Sequence, residues 1–382
     1  MISYWEQQSF IHYDHIIIGS GIVGLSTAIE LKERFPSASV LVLERGLLPT
    51  GASSRNAGFA CMGSVTELLD YGQSMSEGEI LELYSWRKRG LEKLRNRLGD
   101  QAMGYAANGS YELLGREEVE EGALDKIEYL NSLLQPITSK PAFRLANDKI
   151  EVFGFSKEHT RALVENTCEG ELHTGKMLRA LMQVAMQLGV VLKTGAEVTR
   201  FEETERYVLV EVKDHSRCEP LALHAGALSI CTNAFTRQLL PGEDVVPGRG
   251  QVLITQPIEG LRFKGVYHMD KGYYYFREVD GRVLIGGGRN LDFEAEATTE
   301  FALTEQVQVA LERKLHEIIL PGTPYLIEQR WAGIMAFGTS RSPIVKQVSD
   351  RVFGAFRMSG MGVALGSEVG MKLADVICLD RD

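Results

Sequence analysis

The chain has 382 residues, 44% hydrophobic and 24% charged, with 39 glycines, which excludes disordered, collagen-like and coiled-coil classes. Forty-one Lys and Arg stand against 51 Asp and Glu, a formal charge of −10, which sets the chain against nucleic acid and anionic membrane as partners. No apolar run reaches the roughly 18–20 residues that cross a bilayer, and at about 150 residues per domain the length predicts two or three domains.

The first eight residues lack the basic and apolar regions of a signal peptide. The five cysteines, Cys61, Cys168, Cys218, Cys231 and Cys378, are scattered and show no CxxC spacing. A disulfide framework or metal site is therefore not expected, and a cytoplasmic protein with reduced thiols is.

In chain order, Asp14-His15-Ile16-Ile17-Ile18-Gly19 reads as a buried strand ending in glycine. Residues 22–35 follow with a helical apolar face, stopped by Pro36, and residues 39–44 form a second strand. The three make a βαβ unit, hence a parallel sheet with a right-handed crossover. Residues 66–149 turn rich in Glu, Leu and Arg, predicting helices over 79–98 and 117–134 with solvated charged faces. A helix is predicted over 175–188, and strands over 190–194, 197–201, 207–212 and 227–232. Strand patterns dominate 248–288, with runs at 251–255, 273–277 and 282–286. Residues 298–320 read as a helix, and the end of the chain as a glycine-rich turn before another.

Gly19-Ser20-Gly21-Ile22-Val23-Gly24 places GxGxxG between strand and helix. The first glycine permits the turn, the second lets backbone approach a pyrophosphate, and the third lets helix and strand pack closely. The helix N-terminus supplies N–H groups and a positive dipole end. Glu44, twenty residues beyond Gly24, ends the next strand where a carboxylate accepts from ribose hydroxyls. Its charge disfavours a 2′-phosphate, with adjacent Arg45 as a counterweight. This unit alone does not separate FAD from NAD. Two further runs bear on the choice. Gly51-Ala52-Ser53-Ser54-Arg55-Asn56-Ala57-Gly58 is dense in small residues and donors, able to lie against a long cofactor or to be an ordinary loop. Ser359-Gly360-Met361-Gly362-Val363-Ala364-Leu365-Gly366 precedes the last helix and can aim a second N-terminus at an electron-rich ring.

With these runs and Arg330-Trp331-Ala332-Gly333, the chain resembles, over nearly its whole length, the FAD-dependent oxidoreductases of the D-amino acid oxidase family, which include glycine, sarcosine and γ-glutamylputrescine oxidases. The resemblance implies an α/β fold: a Rossmann-like FAD domain of discontinuous segments (1–65, 150–238, 330–382) and an α+β substrate domain (66–149, 239–329) with a mixed or antiparallel sheet. It also implies that Val198 contacts the adenine end and that Thr232 closes the cofactor domain. Two departures matter. Glycine oxidase-like members carry, after Trp-Ala-Gly, an arginine that pairs with the substrate carboxylate; here Met335 stands near that place and makes no such pair. Sarcosine oxidase-like members use a lysine near the flavin, and the strand 283–288 has none. Residues 331–356 contain no cysteine, so FAD is expected to be bound without a covalent link.

The remaining pocket candidates are weaker. Alternation puts Tyr273, Tyr275 and Arg277 on one strand face, as an aromatic wall with an anion fork or as plain sheet residues. Arg357 precedes the C-terminal turn, and His268 is an isolated proton acceptor or a structural histidine. Gly170-Glu171-Leu172-His173-Thr174-Gly175-Lys176-Met177 falls short of a phosphate loop, with Met177 where a hydroxyl belongs. The expected activity is oxidation of a small amine or amino acid by hydride transfer from the α-carbon to flavin N5, the imine then hydrolysing, with oxygen or a quinone or carrier accepting the electrons. The alternatives are a 2-hydroxy acid dehydrogenase and a non-catalytic flavoprotein assembly factor.

Overall fold

The computed structural model describes residues 2–213 and 219–379, so Cys218 lies outside the described residues. The first sheet grows from the strand His12–Ile18, whose Ile16, Ile17 and Ile18 are buried between two layers. That double burial is why its sequence runs apolar without alternating. Five strands lie parallel: Val352–Phe356, Leu221–Ile230, His12–Ile18, Val40–Leu43 and Val191–Lys193. Ile344–Ser349 closes one edge antiparallel, and Val198–Glu203 and Val208–Val212 form an antiparallel ladder on the first half of Leu221–Ile230.

The helix Ile22–Arg34 stops before Pro36, as expected, and Lys32 Nζ donates to the carbonyls of Pro36 and Ala38 beyond its end. The C-terminal helix Gly362–Leu379 crosses it at contact distance. A Cβ on Gly366 would lie 2.5 Å from Ile22, and one on Gly370 2.6 Å from Ser26. This close crossing points two helix N-termini at one place. A buried carboxylate fixes the arrangement from outside: Glu30 accepts from Lys93 and Arg97 of the helix Glu77–Leu98 at 3.0 and 2.7 Å.

The second sheet runs Ile327–Phe337, Val246–Thr255, Arg282–Gly287, Tyr274–Val279, Val266–Met269, Ser110–Leu114, Ala162–Asn166, Phe143–Leu145. It is mixed: Val266–Met269 and Ser110–Leu114 pair in parallel, the other neighbours antiparallel. Ala162–Asn166 and Ile327–Phe337 belong to this sheet, although the sequence placed 150–238 and 330–382 with the first. Behind it, Tyr267, Phe276, Leu311 and Leu315 form a separate buried core under the helix Glu305–Lys314.

Three expectations need correction. The helix predicted over 117–134 is broken at Gly122 (φ 83°) into Arg116–Glu120, a short turn and Ile127–Thr138, because a left-handed residue cannot continue a helix. The helix predicted over 298–320 begins only at Glu305, where Gln251 Oε1 accepts from the N–H of Thr304. The buried strand Ser110–Leu114 lies inside a stretch whose composition reads as helical. No helix among the described residues is long and apolar enough to cross a membrane.

Candidate active site

The C-terminal ends of the parallel strands face the second sheet across a cavity of about 760 Å³. Ligands of open parallel sheets bind at that edge, and the volume lies in the upper part of the usual range for ligand sites. Ile18, Leu43 and Cys231 come from strand ends, Val252, Tyr275 and Gly333 from the opposite sheet.

At the nucleotide end, Gly19 (φ 107°) turns the chain so that its carbonyl lies against Gly24. A Cβ on Gly24 would stand 2.0 Å from the Gly19 oxygen. The helix that follows begins at Gly21 without a side-chain cap; Ser53 Oγ accepts from the Ile22 N–H at 3.0 Å. Gly19, Gly21, Ile22 and Val23 line the cavity, whereas Ser20 and Gly24 turn away from it. Ser20 instead holds Glu44: its N–H and hydroxyl donate to Glu44 Oε2 at 3.2 and 2.8 Å, and the Gly46 N–H donates to Oε1. Glu44 thus reaches the cavity as an oriented carboxylate with acceptor sites to spare. Arg45 stacks on Phe235 at 3.6 Å, next to Val198 and Thr232.

Along the middle, Ser53, Arg55, Asn56 and Ala57 line the cavity, while Ser54 and Gly58 do not. The Ser54 hydroxyl donates inward to the carbonyls of Pro49 and Gly51. Ile327–Phe337 clamps this loop: Trp331 Nε1 donates to Arg55 O at 3.0 Å, and Arg55 returns a bond to Ala332 O at 2.9 Å. At the far end, Ser359, Gly360, Met361, Gly362 and Val363 line the cavity. Asn233 Oδ1 pins that turn by accepting from the N–H of Arg357 and Met358. The Ser359 Oγ is buried without a partner among the described residues. A phosphate-sized cradle at one end, an oriented acid beside it, and a helix N-terminus with an orphan hydroxyl at the other fit an elongated dinucleotide.

Two arginines expected to recognise substrate do something else. The strand alternation holds: Tyr273 and Tyr275 face the cavity, Tyr274 and Phe276 the core behind. Arg277, however, is buried below the wall, donating to the carbonyls of Ala57, Gly58 and Leu172 and pairing with Glu171 at 3.3 Å. Arg357 pairs with Asp244 and donates to Ser342 O. Both guanidinium groups are consumed in holding backbone. His268 does line the wall, 7% exposed, edge-on to Phe59, its Nε2 without a partner among the described residues. Burial pushes the Tyr275 phenol up to about 12, so it stays protonated across the physiological range.

Sequence reading missed Arg289, Arg341 and Lys271, all on the cavity wall. Arg341 pairs with Asp70 at 2.6 Å, and Lys271 with Glu121 at 3.6 Å. Arg289 has no carboxylate partner among the described residues. It stacks 3.7 Å over Phe337, near Phe293, and burial, with neighbouring Arg341, holds its pKa below the ordinary value. Its Nη1 lies 3.4 Å from the position a Cβ would take on Gly248, which pairs in register with Met335. The guanidinium of Arg289 thus lies beside the strand pair that carries Met335, in space left by a glycine. The Gly286-Gly287-Gly288 run before Arg289 was the available signal, but only the strand pairing shows where its neighbour points.

Among proteins of known type, residues 14–376 match the profile of the family described as FAD dependent oxidoreductase, the DAO family. A probable oxidoreductase, OrdL, of Haemophilus influenzae is 25% identical over 97% of this chain and 84% of its own. L-Proline dehydrogenase from P. horikoshii has a similar structure, with a TM-score of 0.76 at 19% identity over 96% of this chain and 93% of that one. Glycine oxidase from Geobacillus kaustophilus gives 0.75 at 20% identity over 97% and 95%. With the glycine cradle, Glu44 and the match spanning almost the entire sequence, the chain belongs to the DAO family of FAD-dependent oxidoreductases.

Proposed function

We propose that the protein oxidises a small amine or amino acid bearing an anionic group, using FAD bound without a covalent link. The observation that carries this reading is Arg289, a half-buried cation facing the cavity with aromatic neighbours and no carboxylate partner among the described residues. A carboxylate there forms a charge-assisted pair and relieves the cost of burying the guanidinium. The names of glycine oxidase and L-proline dehydrogenase, which share the fold, support an amino acid or amine as substrate.

Gly19, Gly21, Ile22 and Val23 would hold the diphosphate of FAD and Glu44 a ribose, with Arg45, Val198 and Thr232 toward the adenine. Ser53, Arg55, Asn56 and Ala57 would follow its length, and Gly360, Met361, Gly362 and Val363 would cup the ring. Bound FAD supplies a two-electron acceptor for the hydride on the carbon next to nitrogen. The chain's own residues bind and orient: Arg289 fixes the anionic end, while Tyr273, Tyr275 and Phe337 wall the site against water. Cys61 and Cys231 also line the cavity, and burial pushes both thiols up, Cys231 to about 12, which disfavours thiolate attack on a flavin.

Anaerobic bleaching of the purified yellow protein, followed near 450 nm, tests the reading. Amino acids or carboxylated amines should bleach it, and their uncharged analogues should do so far more weakly. Bleaching by 2-hydroxy acids with none by amines would refute it. Reoxidation in air against reoxidation by a quinone then identifies the electron acceptor.

A further inference from the structure

We infer that Cys61, Glu169 and His268 form a binding site for Zn²⁺ in the cavity wall, a site separate from the flavin cradle and from Arg289. Sequence spacing gives no hint of it, since the three residues span more than two hundred positions. Strand pairing assembles them. Ala60 pairs with Gly170, which brings Cys61 beside Glu169, and Ser110 pairs with Val266 at the edge of the strand carrying His268. One ligand atom from each lies within 4.8 Å of the others, and all three residues are buried.

Each group is prepared for a cation. The Glu169 carboxylate is fixed by the N–H groups of Met62 and Gly63 and by the Ser110 hydroxyl at 2.7 Å, which leaves a lone pair unused. The His268 imidazole is held against Phe59, and its buried Nε2 has no partner among the described residues. Cys61 is a free thiol, 2% exposed, 4.0 Å from Ser110 Oγ. A thiolate, an imidazole and a carboxylate are donors that zinc takes, whereas Mg²⁺ and Ca²⁺ prefer oxygen alone. Tetrahedral zinc wants its ligand atoms about 3.5 Å apart, so closure needs an approach of about 1 Å, within reach of side-chain rotation. On binding, the Cys61 S–H bond breaks, a Zn–S bond forms and the proton leaves to solvent. The thiolate and Glu169 then balance the two positive charges, so the buried site is neutral. Cys61 and His268 both line the cavity, which leaves the fourth position facing into it.

The test uses the flavin-loaded protein, stripped with chelator and dialysed against Zn²⁺ alone, with metal and flavin measured on the same sample. One Zn²⁺ per chain, micromolar or tighter and undisturbed by excess Mg²⁺, is expected, with at least tenfold weaker binding in C61S and in H268Q. No retained Zn²⁺, or equal retention by both variants, overturns the site. Alkylation of Cys61 in the unaltered protein, located by peptide mass spectrometry, should slow at least tenfold in Zn²⁺. If either variant loses its flavin this measurement decides alone, and an unchanged labelling rate refutes the proposal.

Discussion

The two ends of the cavity are built on opposite plans. The glycine turn comes from one continuous stretch, strand to turn to helix to strand, and its close approaches are of backbone and absent side chains. The opposite wall, where we place the substrate, collects Tyr71, His268, Tyr275, Arg289, Met335 and Arg341 from separate segments, and there side chains line the cavity. Rigid backbone geometry suits a cofactor common to many enzymes, while interchangeable side chains suit a substrate particular to one.

The contrast predicts how each end fails. Gly24→Ala should have the largest effect, because its methyl group would collide with the Gly19 carbonyl rather than with a movable side chain. Flavin content, read as absorbance at 450 against 280 nm, should fall about 100-fold or more. Gly21→Ala meets only the Ser53 hydroxyl, at 2.9 Å, and should cost about tenfold. Near-normal flavin content in Gly24→Ala would remove the distinction between the two ends.

Arg277 and Arg289 sharpen it further, because sequence alone makes them look alike. Arg277→Met would take the cation from buried Glu171 and a donor from the carbonyls of Ala57, Gly58 and Leu172, destabilising the fold by about 3 kcal/mol. Thermal unfolding should shift down by several degrees, with KM little changed in whatever protein remains folded. Arg289→Met should do the reverse: KM for an anionic amine rising about 10–50-fold, with the melting temperature preserved. An unchanged KM would remove Arg289 from substrate binding.

The smallest effect belongs to Glu30, toward the C-terminal end of the nucleotide helix. Burial alone would raise its pKa, but bonds and charges from Arg97 and Lys93 bring it below the ordinary 4.5. A lowered folded-state pKa means that this stabilisation is complete above about pH 4.5 and lost as pH falls through the folded value. Glu30→Gln should therefore flatten the acid limb of stability, by about 1 kcal/mol at most, in denaturant titrations from pH 6 to pH 3. An unaltered slope would exclude this carboxylate as a contributor.

How far each region was legible follows from the same physics. The glycine turn, Glu44 and the helix from Ile22 were readable because their requirements are local: dihedral freedom, close approach and an oriented helix end. Helices over 117–134 and 298–320 were over-read, since periodicity continues across Gly122 and into residues 298–304 where hydrogen bonding does not. The strand Ser110–Leu114 stayed hidden because burial by distant partners, not its own pattern, makes it a strand. Arg277 and Arg357 sat where substrate arginines belong, yet nothing in their neighbourhood announced the carbonyls and Asp244 that occupy them.

By itself, then, the sequence determined the glycine turn and Glu44, because a diphosphate cradle depends on residues that touch along the chain. Which arginine meets the cavity, and that a thiol, a carboxylate and an imidazole converge in its wall, were decided only when strands far apart in the chain paired. Register between such strands is set by the packing of whole sheets, and no local segment carries that information.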